Sequence, residues 1–265
     1  MRIRIVFGLT NKGASVPFHH QYLVSDFISS LIEKNKSKFS DYVEYNFSGL
    51  KGQTKVGKEG LHFYSSKITL VFSSPSDAFV EFIIKSLFKH QQIEIGKLLL
   101  VPLNVEKENI PVMGEDMKYI CISPMVVLSP TDNSIDPKKF ISPALDAFSD
   151  ILYDNTMSRM ERSGRFTAEE ISSFFKFQIV PDKNYLTKIR EEEKKFARIF
   201  PVYEGETKYE VRGYTFPFTL YAAPKVQQFV FDCGVGLYTH KGFGMLDIAN
   251  ADPNQRTTPY EFTID

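Results

Sequence analysis

The side chains of this chain best suited to acid–base chemistry are its five histidines, because an imidazole changes protonation state near neutral pH. His19 and His20 are adjacent and stand just ahead of a helical apolar pattern. His62 alternates with apolar neighbours in a strand-like stretch, His90 ends a predicted helix, and His240 lies in a glycine-rich segment. The adjacent pair lacks a third ligand at a familiar spacing and the chain has only two cysteines, so we expect no metal site.

The glycine-rich segment near the carboxyl end, residues 234–245, reads GVGLYTHKGFGM. Glycines let the main chain approach other groups closely, and successive free N–H groups can form a concavity that binds anions. His240 and Lys241 add positive charge to the same segment. This pattern predicts a phosphate-binding loop, with a pair of tight turns bounding a hairpin as the alternative. A dinucleotide site fits poorly, because the glycines follow a predicted helix and their spacing is not G-x-G-x-x-G.

Apolar periodicity predicts the elements that position these residues in the first part of the chain. The predicted order is a strand at 2–9, a helix with apolar residues from 23 to 32, strands at 42–48, 61–65 and 67–73, a helix at 78–90, and strands at 93–105 and 118–127. A loop at 49–60, rich in lysine and glycine, separates two of the strands. This β-α-β-β-α-β order is the ferredoxin-like pattern.

A second unit is predicted to begin near Pro124, which gives domains at 1–123 and 124–265. Its predicted elements are a helix within 136–162, a strand entered from 172–180, an exposed helix or long connection at 188–198, strands within 208–220, a helix at 223–233 and a strand at 245–248. Their order again approximates βαββαβ, so the fold class is α+β.

Composition narrows the classes of protein further. The chain has 265 residues, of which 43% are hydrophobic and 24% charged, as in globular proteins. Apolar runs such as 98–101 fall far short of the roughly 20 residues that a membrane helix needs. The strand-like start lacks the features of a signal peptide, so we expect a cytoplasmic protein with no membrane partner. The 32 basic and 32 acidic residues do not exclude nucleic acid, since binding depends on local patches.

Four segments of the chain resemble those of one RNA-binding group. The pattern G-h-G, five residues, G-h-G at 234–244 resembles the signature of the repeat-associated RNA-binding superfamily of CRISPR systems. Segments 16–23, 47–50 and 213–218 resemble the branch of CRISPR-associated endoribonucleases that process repeat RNA. The four segments occur in order from end to end of the chain.

This resemblance implies two tandem ferredoxin-like, RRM-like domains with CRISPR repeat RNA bound across them. It also implies cleavage of the repeat in the precursor transcript without metal or other cofactor. The 2′-hydroxyl upstream of the cut attacks the phosphorus, which leaves a 2′,3′-cyclic phosphate and a 5′-hydroxyl. Such a reaction needs a base, an acid and cations that stabilise the phosphorane.

The resemblance also indicates where the catalytic groups should lie. Family members place a histidine early in the first helix or in the loop after it, and that loop has no histidine here. His20 and His19 are therefore the candidates, with capping or packing of the helix as the alternative. Lys51 stands where the family supplies a cation near the scissile phosphate. Tyr22 is a candidate proton donor or base-stacking residue, although core packing would also explain it.

The family uses its glycine loop to hold RNA. The predicted RNA-binding residues are Gly234, Gly236, His240, Lys241, Gly242, Gly244 and Lys55. For Lys51 and Lys55, a solvated hairpin tip is the alternative explanation.

Two other functional classes remain open from the sequence. The missing loop histidine favours a non-cleaving member that binds repeat RNA or serves as a subunit of an effector complex. The other class is an unrelated ferredoxin-like protein in which the glycine loop is decorative. The four family-like segments, in order along the chain, argue against this class. The expected partners are thus repeat RNA and effector-complex subunits, for a monomer or a homodimer.

Overall fold

A computed structural model describes residues 1–34, 39–128 and 138–263. Its elements in chain order are β1 (Arg2–Leu9), β2 (Ser15–Val16), α1 (Gln21–Lys34), β3 (Asn46–Phe47), β4 (Thr54–Val56), β5 (Leu61–Phe63), β6 (Lys67–Ser73), α2 (Asp77–Phe88), β7 (Ile93–Ile95), β8 (Leu98–Glu108), β9 (Asp116–Cys121), β10 (Met125–Val126), α3 (Asp146–Arg162), α4 (Ala168–Ser173), β11 (Phe177–Pro181), α5 (Lys183–Glu191), β12 (Ala197–Glu204), β13 (Thr207–Tyr214), β14 (Phe218–Ala222), α6 (Pro224–Cys233), β15 (Leu246–Ile248) and β16 (Thr257–Pro259). Short 3₁₀ turns occupy Thr239–Lys241 and Pro253–Arg256.

The residues group into two compact units. Unit 1 contains Met1–Ile110, His240–Gly242 and the segment from Asp252 onward. Unit 2 contains Pro111–Thr239 and Phe243–Ala251. The predicted boundary between residues 123 and 124 falls inside unit 2.

The main sheet of unit 1 has the strand order β16-β8-β1-β6-β3, with β7 also paired to β8. Within it, β1, β3, β6 and β8 follow one another in the chain and stand in the spatial order 4-1-3-2, all antiparallel. A helix follows the first strand and another follows the third, which gives the ferredoxin-like βαββαβ arrangement. Ile3, Ile5 and Phe7 of β1 alternate into the core at 1% exposure or less. A second sheet has the order β2-β5-β4.

Unit 2 repeats the same arrangement. Its sheet has the order β11-β14-β9-β15, in which β9 is the first strand and pairs with both β14 and β15. The helices α3 and α6 follow the first and third strands, and a second sheet has the order β10-β13-β12. The predicted α+β class with two tandem ferredoxin-like folds is therefore confirmed.

Several predicted elements have different bounds in the structure. The stretch 118–127, which we assigned to the first unit, supplies β9 and β10 of unit 2. The preceding segment Ile110–Gly114, with a proline and a glycine and no regular structure, is the sequence signal for that boundary. The helix predicted within 136–162 begins at Asp146, and residues 136 and 137 lie outside the described part of the chain.

The second half contains one helix that the periodicity did not predict. Residues 172–180 were predicted to lead into a strand, and they do lead into β11, but they begin with the end of α4. Thr167 caps α4 through a capping box with Glu170, a local signal that can be recognised in the sequence. The charged run 188–198 divides between the end of α5 and the start of β12.

Across the described residues, no helix combines the length and apolar character required to span a bilayer.

Candidate functional site

His20 is a buried residue at the start of α1, with 5% of its surface exposed. Its Nε2 accepts a hydrogen bond from the main-chain N–H of Leu50 at 3.0 Å, and its Nδ1 lies 3.3 Å from the carbonyl oxygen of Pro17. An accepting Nε2 requires the neutral ring with its proton on Nδ1, where it donates to Pro17. Burial is the main cause that lowers the pKa of His20 to about 4; the hydrogen bond to Pro17 opposes this shift and the neighbouring His19 adds to it. In this geometry both ring nitrogens are engaged by the main chain.

The hydrogen bond from Leu50 brings Lys51 next to the turn that carries His19 and His20. The main chain of Lys51 is fixed from the other side, since its N–H and carbonyl both bond to Thr69 of β6 at 2.9 Å. Gly49 fits tightly, because a Cβ there would lie 3.3 Å from the His20 Nε2 and from the Gln21 side-chain amide. Three further candidates are half-buried: His19, Lys51, and Tyr22 in the first turn of α1.

The tip of the glycine-rich segment, His240–Gly242, belongs to the same unit as these residues. The His240 ring lies edge-on to Tyr45, with centroids 6.4 Å apart. Gly242 has a φ of +82°, and a Cβ on it would overlap the Phe47 ring. Phe47 ends β3, and its chain continues directly to Leu50 and Lys51. The structure thus gathers His240 and Lys241 beside the segment that holds Lys51.

Lys241 also interacts with the first helix of unit 1. Burial raises the pKa of Asp26 on α1, and the nearby Lys241 ammonium opposes that rise. The tip of the loop therefore packs against Phe47 of β3 and acts electrostatically on Asp26 of α1, the helix that follows the histidine pair.

The rest of the glycine-rich segment corrects one sequence expectation. Gly234, Gly236, Gly242 and Gly244 are all buried. The main-chain donors around them are used internally: Val235 donates to Gly244, Leu237 to Val126, and Gly244 to Pro124, at 2.7–3.0 Å. These three N–H groups bond to carbonyls of the protein itself, so they are not free to form the expected anion-binding concavity.

The glycines instead allow the main chain to pack closely. Gly244 has a φ of +72°, and a Cβ on it would overlap the Val235 carbonyl. The RNA contacts predicted for Gly234, Gly236, Gly242 and Gly244 stay predictions, while the packing of these residues is a property of the structure.

Arg159 on α3 holds this segment, and the sequence analysis missed it. Its Nη1 donates to the carbonyls of Gly234 and Gly236 at 2.9 and 3.3 Å. Its Nη2 donates to the Cys233 carbonyl at 2.7 Å and to the Thr239 hydroxyl at 3.1 Å. In the sequence, the signal is that Arg159 stands between two methionines, Met157 and Met160. In the structure both methionines are buried, whereas Arg162, the other arginine of α3, is exposed.

Lys55 lies apart from this cluster. It is exposed on β4, where its Nζ stands 5.1 Å from the centroid of the Tyr64 ring. The remaining histidines have structural partners, since His62 Nδ1 is 2.8 Å from the Gly13 carbonyl and His90 Nδ1 is 3.1 Å from that of Ser86.

Unit 2 carries an open groove of about 670 Å³ along its sheet and α5. Its lining includes Lys118, Lys183 and Lys188, which are exposed and form no ion pair with another described residue. Ile120, 39% exposed, and Tyr185 contribute apolar and aromatic surface. With one carboxylate, Asp182, against three lysines, the groove carries a local excess of positive charge on a chain whose net charge is zero.

Within residues 1–34, 39–128 and 138–263, no group of three or more histidine, cysteine, aspartate or glutamate side chains is placed to hold a metal ion.

Comparison with known proteins agrees with this architecture. The family model described as CRISPR associated protein Cas6, C-terminal, matches residues 105–248. A curated relative, CRISPR-associated endoribonuclease Cas6 1 of Methanocaldococcus jannaschii, is 22% identical over 264 residues, which cover 97% of this chain and 95% of that protein.

Two solved structures share the fold. A Cas6-related protein from Pyrococcus furiosus superimposes with a TM-score of 0.78 at 19% identity, covering 95% of this chain and 99% of the other. A structure described as an RAMP protein binding different RNA substrates gives a TM-score of 0.75 at 18% identity, covering 94% and 100%. Tandem ferredoxin-like units with a buried glycine-rich segment define the class of fold. Because the family model covers more than half of the chain, the chain belongs to the CRISPR-associated Cas6 family.

Proposed function

We propose that this protein is an endoribonuclease that binds CRISPR repeat RNA and cleaves it within the precursor transcript. The relative from Methanocaldococcus jannaschii is named as an endoribonuclease, and one structural neighbour is described as binding RNA. The observation that carries the proposal is the convergence within unit 1 of the His19–His20 turn, Lys51 and the loop tip His240–Gly242 around Phe47.

The chemistry we propose is transesterification without a metal ion. The 2′-hydroxyl loses its proton and its oxygen forms a bond to phosphorus, while the bond from phosphorus to the 5′-oxygen breaks and that oxygen takes up a proton. The products are a 2′,3′-cyclic phosphate and a 5′-hydroxyl. Lys51 supplies positive charge for the phosphorane, and a positioned cation of this kind is effective where water is partly excluded.

Half-buried side chains of the cluster are the proposed general base and general acid. His19 is the proposed base for the 2′-hydroxyl and Tyr22 the proposed donor to the leaving oxygen. His240 and Lys241 are proposed to contact phosphates. His20 was a candidate for the base, but its engaged nitrogens favour a positioning role, in which it holds Leu50 and through it Lys51.

One observation favours a second function, a member that binds repeat RNA without cutting it. His20 is buried, neutral and hydrogen-bonded at both ring nitrogens, so only His19 of the adjacent pair remains as a candidate base.

A single-turnover assay with repeat RNA separates the two functions. The RNA carries the repeat sequence of the CRISPR array closest to the encoding gene, and the reaction contains EDTA. Cutting that persists in EDTA and stops when the nucleotide before the cut is 2′-deoxy supports the proposed reaction. Binding of the same RNA without cutting supports the second function.

Two variants then test the proposed roles. His19→Ala should slow cleavage by about 10²-fold or more, the usual size of an acid–base contribution. His62→Ala, which removes a histidine of the same unit from a structural contact, is the control and should cut at a rate near that of the wild type. Equal rates for the two variants would remove His19 from the reaction.

A further inference from the structure

Phe18 is an exposed aromatic residue beside the proposed base. It lies in the turn between β2 and α1, directly before His19, and 42% of its surface is exposed. Every other phenylalanine of unit 1 that the structure describes is buried or half-buried. Several of these pack on other rings, as Phe39 and Phe79 do with centroids 5.1 Å apart. Phe18 therefore stands out from the aromatic residues that build the core of its unit.

The turn that carries Phe18 is held from two sides. Single exposed apolar side chains are common on protein surfaces, but most of them do not stand on main chain that is packed in this way. The Nδ1 of His20 lies 3.3 Å from the Pro17 carbonyl oxygen. On the other side is Gly60, between β4 and β5, where a Cβ would overlap the Val16 carbonyl and lie 3.0 Å from the Pro17 Cα. The main chain that leads to Phe18 is thus fixed, while its ring is exposed.

The chemistry of an exposed phenyl ring fits a nucleobase. Proteins that bind single-stranded RNA stack unpaired bases on aromatic side chains, and every base has a π-face that can stack. The ring has no hydrogen-bonding group, so it holds a base without reading its edge. The residues beside it, His19 and Lys51, are polar, as contacts to a ribose and a phosphate require, whereas an apolar protein partner would need a continuous apolar patch.

The place of Phe18 in the chain indicates which nucleotide it would meet. Consecutive Cα atoms are about 3.8 Å apart, so the Phe18 ring and the His19 imidazole start from neighbouring points of one turn. The proposed role of His19 is to take the proton from the 2′-hydroxyl that attacks the phosphorus. In a ribonucleotide the base is attached to C1′, the carbon next to the one that carries this hydroxyl. A ring beside His19 would therefore meet the base of the same nucleotide.

We propose that Phe18 stacks on the base of the nucleotide whose 2′-hydroxyl attacks the phosphorus. The inference rests on the proposed endoribonuclease function and adds a substrate contact to it. Stacking holds this base away from its neighbour in the strand and orients its ribose, so that the 2′-oxygen is in line with the bond that breaks. A base inside a helix is already stacked on both faces, so the cut falls at a nucleotide that is unpaired in the bound RNA.

Single-turnover cleavage at subsaturating protein concentration tests this contact, because it reports binding and reaction together. An abasic ribonucleotide before the cut keeps the 2′-hydroxyl and lacks the base, so it should slow cleavage by the wild type about tenfold, the effect of one stacked base. Phe18→Ala should slow cleavage of the unmodified RNA by about the same factor. In that variant the abasic RNA should be cut no more slowly than the unmodified RNA, since both changes remove one contact.

Two further variants complete the test. Phe18→Tyr keeps the ring and should cut at a rate near that of the wild type. Phe175→Ala, which removes a phenylalanine of unit 2 that is 83% exposed, is the control and should also cut normally. Wild-type rates in Phe18→Ala, or effects of Phe18→Ala and the abasic nucleotide that multiply, would overturn the stacking contact. A wild type that binds the unmodified RNA without cutting it would instead contradict the endoribonuclease function on which the inference rests.

Discussion

Two regions of this molecule, the segment around Leu50 in unit 1 and the glycine-rich segment in unit 2, are each held by one polar side chain. His20 holds the first by accepting a single N–H with a ring that must stay neutral. Arg159 holds the second by donating to three carbonyls and a hydroxyl. A guanidinium keeps its proton at any ordinary pH, whereas an imidazole does not. The contact that His20 makes is therefore sensitive to pH, whereas the contacts that Arg159 makes are not.

This difference has a consequence for function. Lys51, the proposed phosphorane cation, follows directly on the residue that His20 fixes, so its position depends on a titratable group. His240 and Lys241 follow a segment fixed by a permanent charge. Acidification should therefore disturb the proposed catalytic side before it disturbs the loop proposed to bind RNA.

The largest effect should come from filling the tightest glycine. In Gly244→Ala the new Cβ overlaps the Val235 carbonyl at a left-handed φ, so main chain must move, and we expect a loss of about 4 kcal/mol or more. Gly205→Ala is the control, because Gly205 also has a positive φ, +59°, but a Cβ on it meets nothing within 4 Å. That variant should lose about 1 kcal/mol. Urea unfolding measured by tyrosine fluorescence compares them, and equal losses would contradict the packing role of Gly244.

Removal of the arginine should have the next largest effect. Arg159→Ala leaves buried carbonyls without a donor, and we expect a loss of about 3 kcal/mol, since hydrogen bonds from a charged donor are each worth about 1.5–3 kcal/mol. Arg162→Ala, on the same helix but exposed, should change stability by less than about 0.5 kcal/mol. The loss in Arg159→Ala should be the same at neutral and mildly acidic pH. If the stability loss in Arg159→Ala becomes smaller at acidic pH, the segment is held by a titrating group and not by the permanent charge of Arg159.

The histidine should show the opposite behaviour. The pKa of His20 is lowered to about 4 in the folded protein and is about 6.5 when unfolded, so between these values the unfolded chain binds more protons. The stability that the neutral ring provides is complete above about pH 6.5 and falls as the pH drops toward about 4, by about 3 kcal/mol in all. Urea unfolding across that pH range measures the slope of the unfolding free energy against pH.

His20→Gln is the variant that isolates this slope. A glutamine oxygen accepts the Leu50 N–H but does not titrate, so the variant should lose the slope and keep most of the stability at neutral pH. It should also retain cleavage within about tenfold, because a positioning residue is replaceable where a base contributes about 10²-fold or more. An unchanged slope, or cleavage lost as fully as in His19→Ala, would show that His20 does not act as a positioning acceptor.

The fold could be predicted from the sequence because it depends on apolar periodicity and on the glycines and prolines that end helices and strands. The alternating Ile3, Ile5 and Phe7 of β1 and the bounds of α6 follow directly from the pattern. The strand bounded by residues 116 and 121 was assigned to the wrong unit, because pairing with β14, about a hundred residues later, has no local signal.

The candidate site was predictable in residue type and less so in role. The histidine pair, Lys51 and the glycines stand out by composition, and the structure does bring the first two and the loop tip together. Whether a side chain faces a substrate or its own main chain depends on tertiary contacts, which the sequence does not show. The hydrogen bonds of His20 to Pro17 and Leu50 are an example. Arg159 is one arginine among several, and only its hydrogen bonds to three carbonyls distinguish it.

The smallest effect should come from the tip of the glycine-rich loop, where Lys241 is half-buried. Lys241→Ala removes one proposed phosphate contact, so it should weaken binding of repeat RNA only a few-fold. It should also reduce the slope of log affinity against log salt by about 1, the effect of one phosphate contact. Lys194→Ala, whose ammonium already pairs with Glu192 in unit 2, should leave that slope unchanged. If Lys241→Ala also leaves it unchanged, the loop tip does not contact the RNA backbone, and the buried glycines serve the fold alone.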